Sequence, residues 1–175
     1  STLIAPVQED GISRFREVED PREIWLGEGN TVGSPKEVLF PRSEPLLRYR
    51  LEGDRVALED PEVPDREVVL FGVRPCDASG LEVLGAFFSL GHENPFFHRR
   101  REHTTVVGLS CLEPGPACFC TAVGLSPTAT RGSDGLFTRM GDRFLVEAVT
   151  PSGEACLQAH AEFFKDTEES REEVA

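Results

Sequence analysis

The sequence predicts an α/β fold, with α+β the nearest alternative: a mixed sheet with a central parallel strand pair, flanking helices and peripheral β-hairpins. Three observations carry this. Val68 to Val73 and Thr104 to Leu109 are short apolar runs rich in β-branched residues, the mark of buried strands. Helical signals fill the stretch between them, so strand, crossover and strand follow in order, and parallel pairing is the default for that order. On either side lie alternating segments with turn residues between them, which read as hairpins.

The elements follow in chain order. Residues 2–18 form a first hairpin turning at Asp10-Gly11, and Ile24, Trp25 and Leu26 anchor the turn-rich stretch after it. Ser34-Pro35-Lys36-Glu37 reads as a helix start with a capping box, cut short by Pro41. Leu46–Leu51 and Arg55–Leu58 form a second hairpin around Glu52-Gly53-Asp54, and a Pro-rich link at 61–64 leads to the central unit. Ser79 and Glu82 offer another capping box, for a helix reaching about Leu90 with Leu81, Leu84, Phe87 and Phe88 inward and Gly91 as its stop. Asn94-Pro95 starts a short helix whose Phe96 and Phe97 face inward. Gly135 to Thr150 makes a third hairpin turning at Gly141-Asp142. Ser152 to Phe164 reads as a helix with Cys156, Ala159 and Phe163 at core spacing. Residues 1–65 are thus expected to pack on a 66–165 core, with a charged tail or linker at 166–175, as one globular domain.

Composition narrows the function. With 31 acidic against 18 basic side chains the net charge is −13, which repels phosphates and argues against nucleic acid as a partner. No apolar run approaches the roughly 20 residues needed to cross a bilayer. The opening STLIAPVQEDG lacks a basic stretch followed by an apolar one, so no secretory leader is read there. The five cysteines are an odd number, which favours metal or redox chemistry in a reducing cytosol over a disulfide framework. Arginine dominates over lysine, a bias shared with thermophiles and GC-rich genomes.

Four cysteines cluster as C-x34-C-x6-C-x-C: Cys76, Cys111, Cys118 and Cys120. The first two follow the carboxyl ends of the predicted strands, the edge where open α/β folds place ligands. Pro114, Gly115 and Pro116 turn the chain so that Cys118 and Cys120 return to the same edge. Four thiolates suit an iron–sulfur cubane, and Arg74 and the helix start after Cys76 supply compensating donors. Asp77 is a candidate iron ligand, a helix-start residue or a hydrogen-bond acceptor. Two other readings remain: structural zinc, though no paired C-x2–4-C knuckles appear, and four separate buried thiols. Cys156 reads as a packed thiol, while His92, His98, His103 and the run Arg99–Arg101 read as solvated. No P-loop, GxGxxG, Ser-His-Asp order or paired-carboxylate motif is present, so no catalytic residue is assigned.

The segments VLFGVRPCDASGLEVL, NPFFHRRREHTTVVGLSCLEPGPACFCTAVG and GSDGLFTRMGDRFLVEAVTPSG resemble the beta subunit of cytosolic nickel–iron hydrogenases and sulfhydrogenases. The A subunit of anaerobic sulfite reductase is similar over the same region. The resemblance implies an electron-transfer subunit with one [4Fe–4S] cluster on Cys76, Cys111, Cys118 and Cys120. It would relay electrons between a flavoprotein partner with a nicotinamide-oxidising site and a catalytic subunit. Members of that family continue into a ferredoxin-like region with two C-x2-C-x2-C motifs. The present sequence has none, and is expected to be either the N-terminal domain of a longer product or a shortened relative. A cofactor-free scaffold of the same fold and a zinc-stabilised domain are the alternatives to be separated by metal content.

Overall fold

The computed structural model describes residues 1–59 and 66–170. The link at 61–64 and the last five residues of the charged tail lie outside the described residues.

Alternating apolar positions and a tight turn make the first hairpin. Strands β1 (Thr2–Glu9) and β2 (Ile12–Glu17) pair antiparallel across Asp10 and Gly11. Both turn residues have positive φ, 51° and 77°. Two consecutive left-handed residues match the right-handed twist of the strands, and glycine takes the second at no steric cost. A second hairpin, β3 (Arg48–Glu52) with β4 (Arg55–Glu59), forms its own two-stranded sheet. Tyr49, Leu51, Val56 and Leu58 share one face of that ribbon, and all four are exposed.

The main sheet has six strands in the order β2-β1-β5-β6-β7-β8. Its centre is the parallel pair β5 (Val68–Val73) and β6 (Thr104–Leu109). Parallelism extends further than the sequence suggests. β1 runs parallel to β5, and β7 (Gly135–Met140) runs parallel to β6, so four strands align and only β2 and β8 (Arg143–Ala148) are antiparallel. Both outer hairpins are therefore built into the sheet. Each lends one arm to the parallel core, because apolar residues of that arm are buried there: Ile4 and Ala5 in β1, Leu136 in β7.

Helices α1 (Pro75–Phe88) and α2 (Pro95–Glu102), with a short 3-10 turn at Pro35–Val38, cover one face. The core there joins Ile4, Leu39, Val68, Leu70, Val73, Ala78, Leu81, Phe97 and Val106. An aromatic group of Phe71, Phe137, Phe144 and Phe164 packs edge to face or tilted, with Phe137 touching the other three. Helix α3 (Pro151–Gln158) seats its buried Gly153 on the chain at Asp134.

Local details differ from the expectations in instructive ways. α1 begins at Pro75, four residues before the Ser79–Glu82 capping box, because Pro75 at the first helical position follows an extended Arg74. Ser79 and Glu82 turn instead toward the 131 loop, where they meet the Arg131 carbonyl and guanidinium. Ser34 caps its turn through the Lys36 N–H, while Glu37 pairs with Arg42 at 2.8 Å rather than closing a box. Phe87 is exposed, and α3 ends before Ala159 and Phe163, both of which are exposed. No helix of the described residues is long and apolar enough to cross a membrane.

Candidate metal centre

Parallel register decides where the cysteines lie. Val73 stands opposite Gly108, so β5 and β6 end side by side, and the chain reaches Cys76 and Cys111 within three residues of those ends. Cys76 occupies the second position of α1, in the turn whose N–H groups are unpaired and favour negative charge. Cys111 is held by its own N–H, which donates to the Pro127 carbonyl at 3.0 Å.

The 112–120 loop folds on itself before returning. The Cys118 N–H donates to the Gly115 carbonyl at 3.0 Å, and the Gly115 N–H donates to the Cys118 sulfur at 3.2 Å. Cys120 opens a 3-10 turn (Cys120–Val123) closed by Gly124, and its carbonyl accepts from the Leu125 N–H. Cys76, Cys118 and Cys120 line one cleft of about 430 Å³, together with Asn30, Val83, Phe119 and Val123 among others. All five cysteines are free thiols. Gly132 closes the far side of this region. Its φ of +80° and a Cβ position only 2.0 Å from the Ala78 carbonyl oxygen leave room for no other residue.

The electrostatics tie the four thiols together. Although Cys76 is exposed at the surface, partial desolvation pushes its thiol up, and Asp77, Cys120 and Cys111 add repulsion that one hydrogen bond from the Asp77 backbone only partly offsets. Burial also pushes Cys111 up. The Arg74 guanidinium pulls it back, while Cys118, Glu28 and Cys120 push in the same direction as burial. Cys76 and Cys111 thus hold their protons more firmly than ordinary thiols.

Arg74 is buried and serves as a clamp. Its guanidinium donates to the carbonyls of Gly27 (2.6 Å), Gly29 (3.1 Å) and Ser110 (2.8 Å), which binds the 27–29 loop to the end of β6 beside Cys111. That loop delivers Asn30, whose Nδ2 lies 3.9 Å from the Cys118 sulfur. Asn30 escapes sequence reading, because nothing local marks a residue that meets its partner 88 positions later. Asp77 faces away from the thiol cleft, accepting the Ser34 hydroxyl at 3.3 Å; burial raises its carboxyl above the usual range against the pull of Ser34, Lys36 and Arg74.

Other candidates stand apart. His98 sits 3.4 Å from Ser89 and the Phe88 carbonyl, and His103 meets Glu67 at 2.7 Å. Arg100 pairs with Glu44 and Arg101 with Asp134. Cys156 is half-buried on α3.

Four free thiols match an iron–sulfur cluster in kind and number, but only Cys76, Cys118 and Cys120 share the cleft, and Cys111 is not among its lining residues. Among the described residues, no group of three or more His, Cys, Asp or Glu side chains is arranged to hold a metal ion.

Over 167 residues the chain is 29% identical to the sulfhydrogenase 2 subunit beta of Pyrococcus furiosus, an alignment covering 95% of this chain. The chain is similar to a hydrogenase beta subunit. It spans about half, 48%, of that relative's length. No family model matches the sequence, and no solved structure matches it.

Proposed function

We propose that the chain is an iron–sulfur electron-transfer subunit or domain of a hydrogenase- or sulfur-reductase-type complex. One observation supports the reading: Cys76, Cys118 and Cys120 line one cleft and Cys111 follows the end of the adjacent parallel strand, in a chain similar to a sulfhydrogenase beta subunit. Cys76, Cys111, Cys118 and Cys120 would hold one [4Fe–4S] cluster, which supplies one-electron transfer when bound. The chain's own residues set its surroundings. Arg74 offsets negative charge at Cys111, the first turn of α1 presents N–H groups around Cys76, and Asn30 points its amide at Cys118. The partners are a flavoprotein and a catalytic subunit, between which the electrons pass.

Anaerobic reconstitution with iron and sulfide tests this. About four irons per chain with the visible absorption of a cubane is expected. Fewer than one iron per chain with no such absorption would leave the second reading, a cofactor-free scaffold, which the open spacing of the thiols favours. Zinc in place of iron would make the site structural.

A further inference from the structure

Helix α1 is apolar nearly all the way round. Ala78, Leu81, Leu84 and Phe88 pack on the sheet side. The opposite side begins at the thiol: Cys76, Gly80, Val83 and Phe87 follow one another at helical spacing of four and three, Leu90 continues the line just past the helix end, and every one is exposed. Val83, Phe87 and Leu90 are 57%, 63% and 74% exposed, and Phe119 and Val123 extend the same apolar surface across the cleft. A helix with two apolar faces is normally covered on both. An exposed apolar patch continuous with a functional cleft marks a binding surface.

We infer that this stripe is the docking surface for a redox partner protein, whose apolar centre seats on Val83, Phe87 and Phe119 and brings its redox centre up to the Cys76 end of α1. The inference rests on the electron-carrier reading and specifies where the electron crosses. Charge fixes the partner's chemistry. The chain carries −13, and exposed Glu93 and Glu113 flank the stripe and the thiol loop, while Glu82 is paired with Arg131, so the partner presents a basic rim around an apolar centre.

The test uses cytochrome c as the probe, a basic one-electron acceptor. Calorimetry measures its affinity for the parent chain, with and without reconstituted iron. Stopped-flow absorbance follows the single electron passed from the reduced cluster to the ferric haem. The variant Phe87→Ser/Leu90→Ser keeps the net charge, changes no residue lining the thiol cleft and gives up one ring contact, that of Phe87 with Phe88. It should weaken binding at least tenfold and slow haem reduction in step, with iron content and the rate of oxidation by ferricyanide unchanged. Leu51→Ser/Val56→Ser, on the exposed face of the separate hairpin, controls for lost apolar surface alone and should leave the affinity as in the parent. Salt should weaken parent binding. Parent-like affinity in the α1 variant, equal losses in the hairpin variant, or no binding to the parent chain overturns the docking surface. Failure to load iron overturns the carrier reading instead, and the calorimetry still decides the surface.

Discussion

Replacing Arg74 by alanine tests the clamp beside the thiol edge. Arg74 is 6% exposed and its side chain donates to three carbonyls, those of Gly27, Gly29 and Ser110. Truncation strands those acceptors and leaves Glu28, whose Oε2 lies 4.0 Å from the guanidinium and accepts no hydrogen bond among the described residues, without its counter-charge. Removing one partner from a buried charged network costs about 3–5 kcal/mol. For a chain of this size each kcal/mol is worth roughly 2–4 °C in Tm, so the expected fall is on the order of 10 °C. Arg74→Lys keeps the charge, but an ammonium lacks the planar fork that reaches three carbonyls at once, and about half the loss should remain. Urea unfolding at neutral pH with an unchanged m-value is the assay, and faster amide exchange at 27–30 in the alanine variant is its local counterpart. A loss under about 1 kcal/mol, the level of one ordinary hydrogen bond, would refute the clamp.

Iron analysis after reconstitution should separate the cysteines: Cys118→Ala and Cys120→Ala fall below one iron per chain, whereas Cys156→Ala loads like the parent and loses only about 1 kcal/mol of packing. Parent-like iron in either of the first two would remove those residues from the ligand set. Gly132→Ala forces a side chain into the left-handed region and against the Ala78 carbonyl, so thermal unfolding should show a loss above about 2 kcal/mol. Asp134→Asn weakens a buried acceptor of the Val106 N–H (2.8 Å), the Thr150 hydroxyl (2.7 Å) and Arg101 (3.2 Å), and denaturant titration should record roughly 2–3 kcal/mol lost. A drop under about 0.5 kcal/mol would mean that the β6, β7 and α3 junction is held by packing alone.

The strands that matter most were legible because their signal is local. Val68–Val73 and Thr104–Leu109 are β-branched, apolar and followed by cysteines, and a parallel pair with thiols at its carboxyl edge follows from that order. The parallel role of β1 and β7 was hidden, since a hairpin's sequence declares its antiparallel partner and says nothing of the strand on its other side. Phe87 is exposed against expectation for a different reason: where both helix faces are apolar, periodicity no longer selects the buried one. The Ser79–Glu82 pair matched a capping pattern, yet Arg131 competes for both side chains from the far end of the thiol loop. Asn30 and the Arg74 acceptors at 27–29 are contacts between segments remote in sequence, and only the fold brings them together.

The same competition between local and distant contacts explains how the thiol edge is organised. Cys76 and Cys111 are fixed by the scaffold, one in the first turn of α1 and one at the end of β6. Cys118 and Cys120 ride on a loop whose hydrogen bonds are largely its own, Gly115 to Cys118 and Cys120 to Leu125, with Asn30 as a distant contact. Two thiols are therefore placed by folding and two are held by a self-contained loop. Burial and mutual repulsion keep protons on Cys76 and Cys111, and ligation must displace them, so metal loading on this edge should release protons and draw the loop inward in one coupled step. Under that coupling the 112–120 loop should gain protection from proteolysis only when all four thiols are present. Protection that survives Cys120→Ala would mean that the loop is set by its own turns, and that the edge is a scaffold.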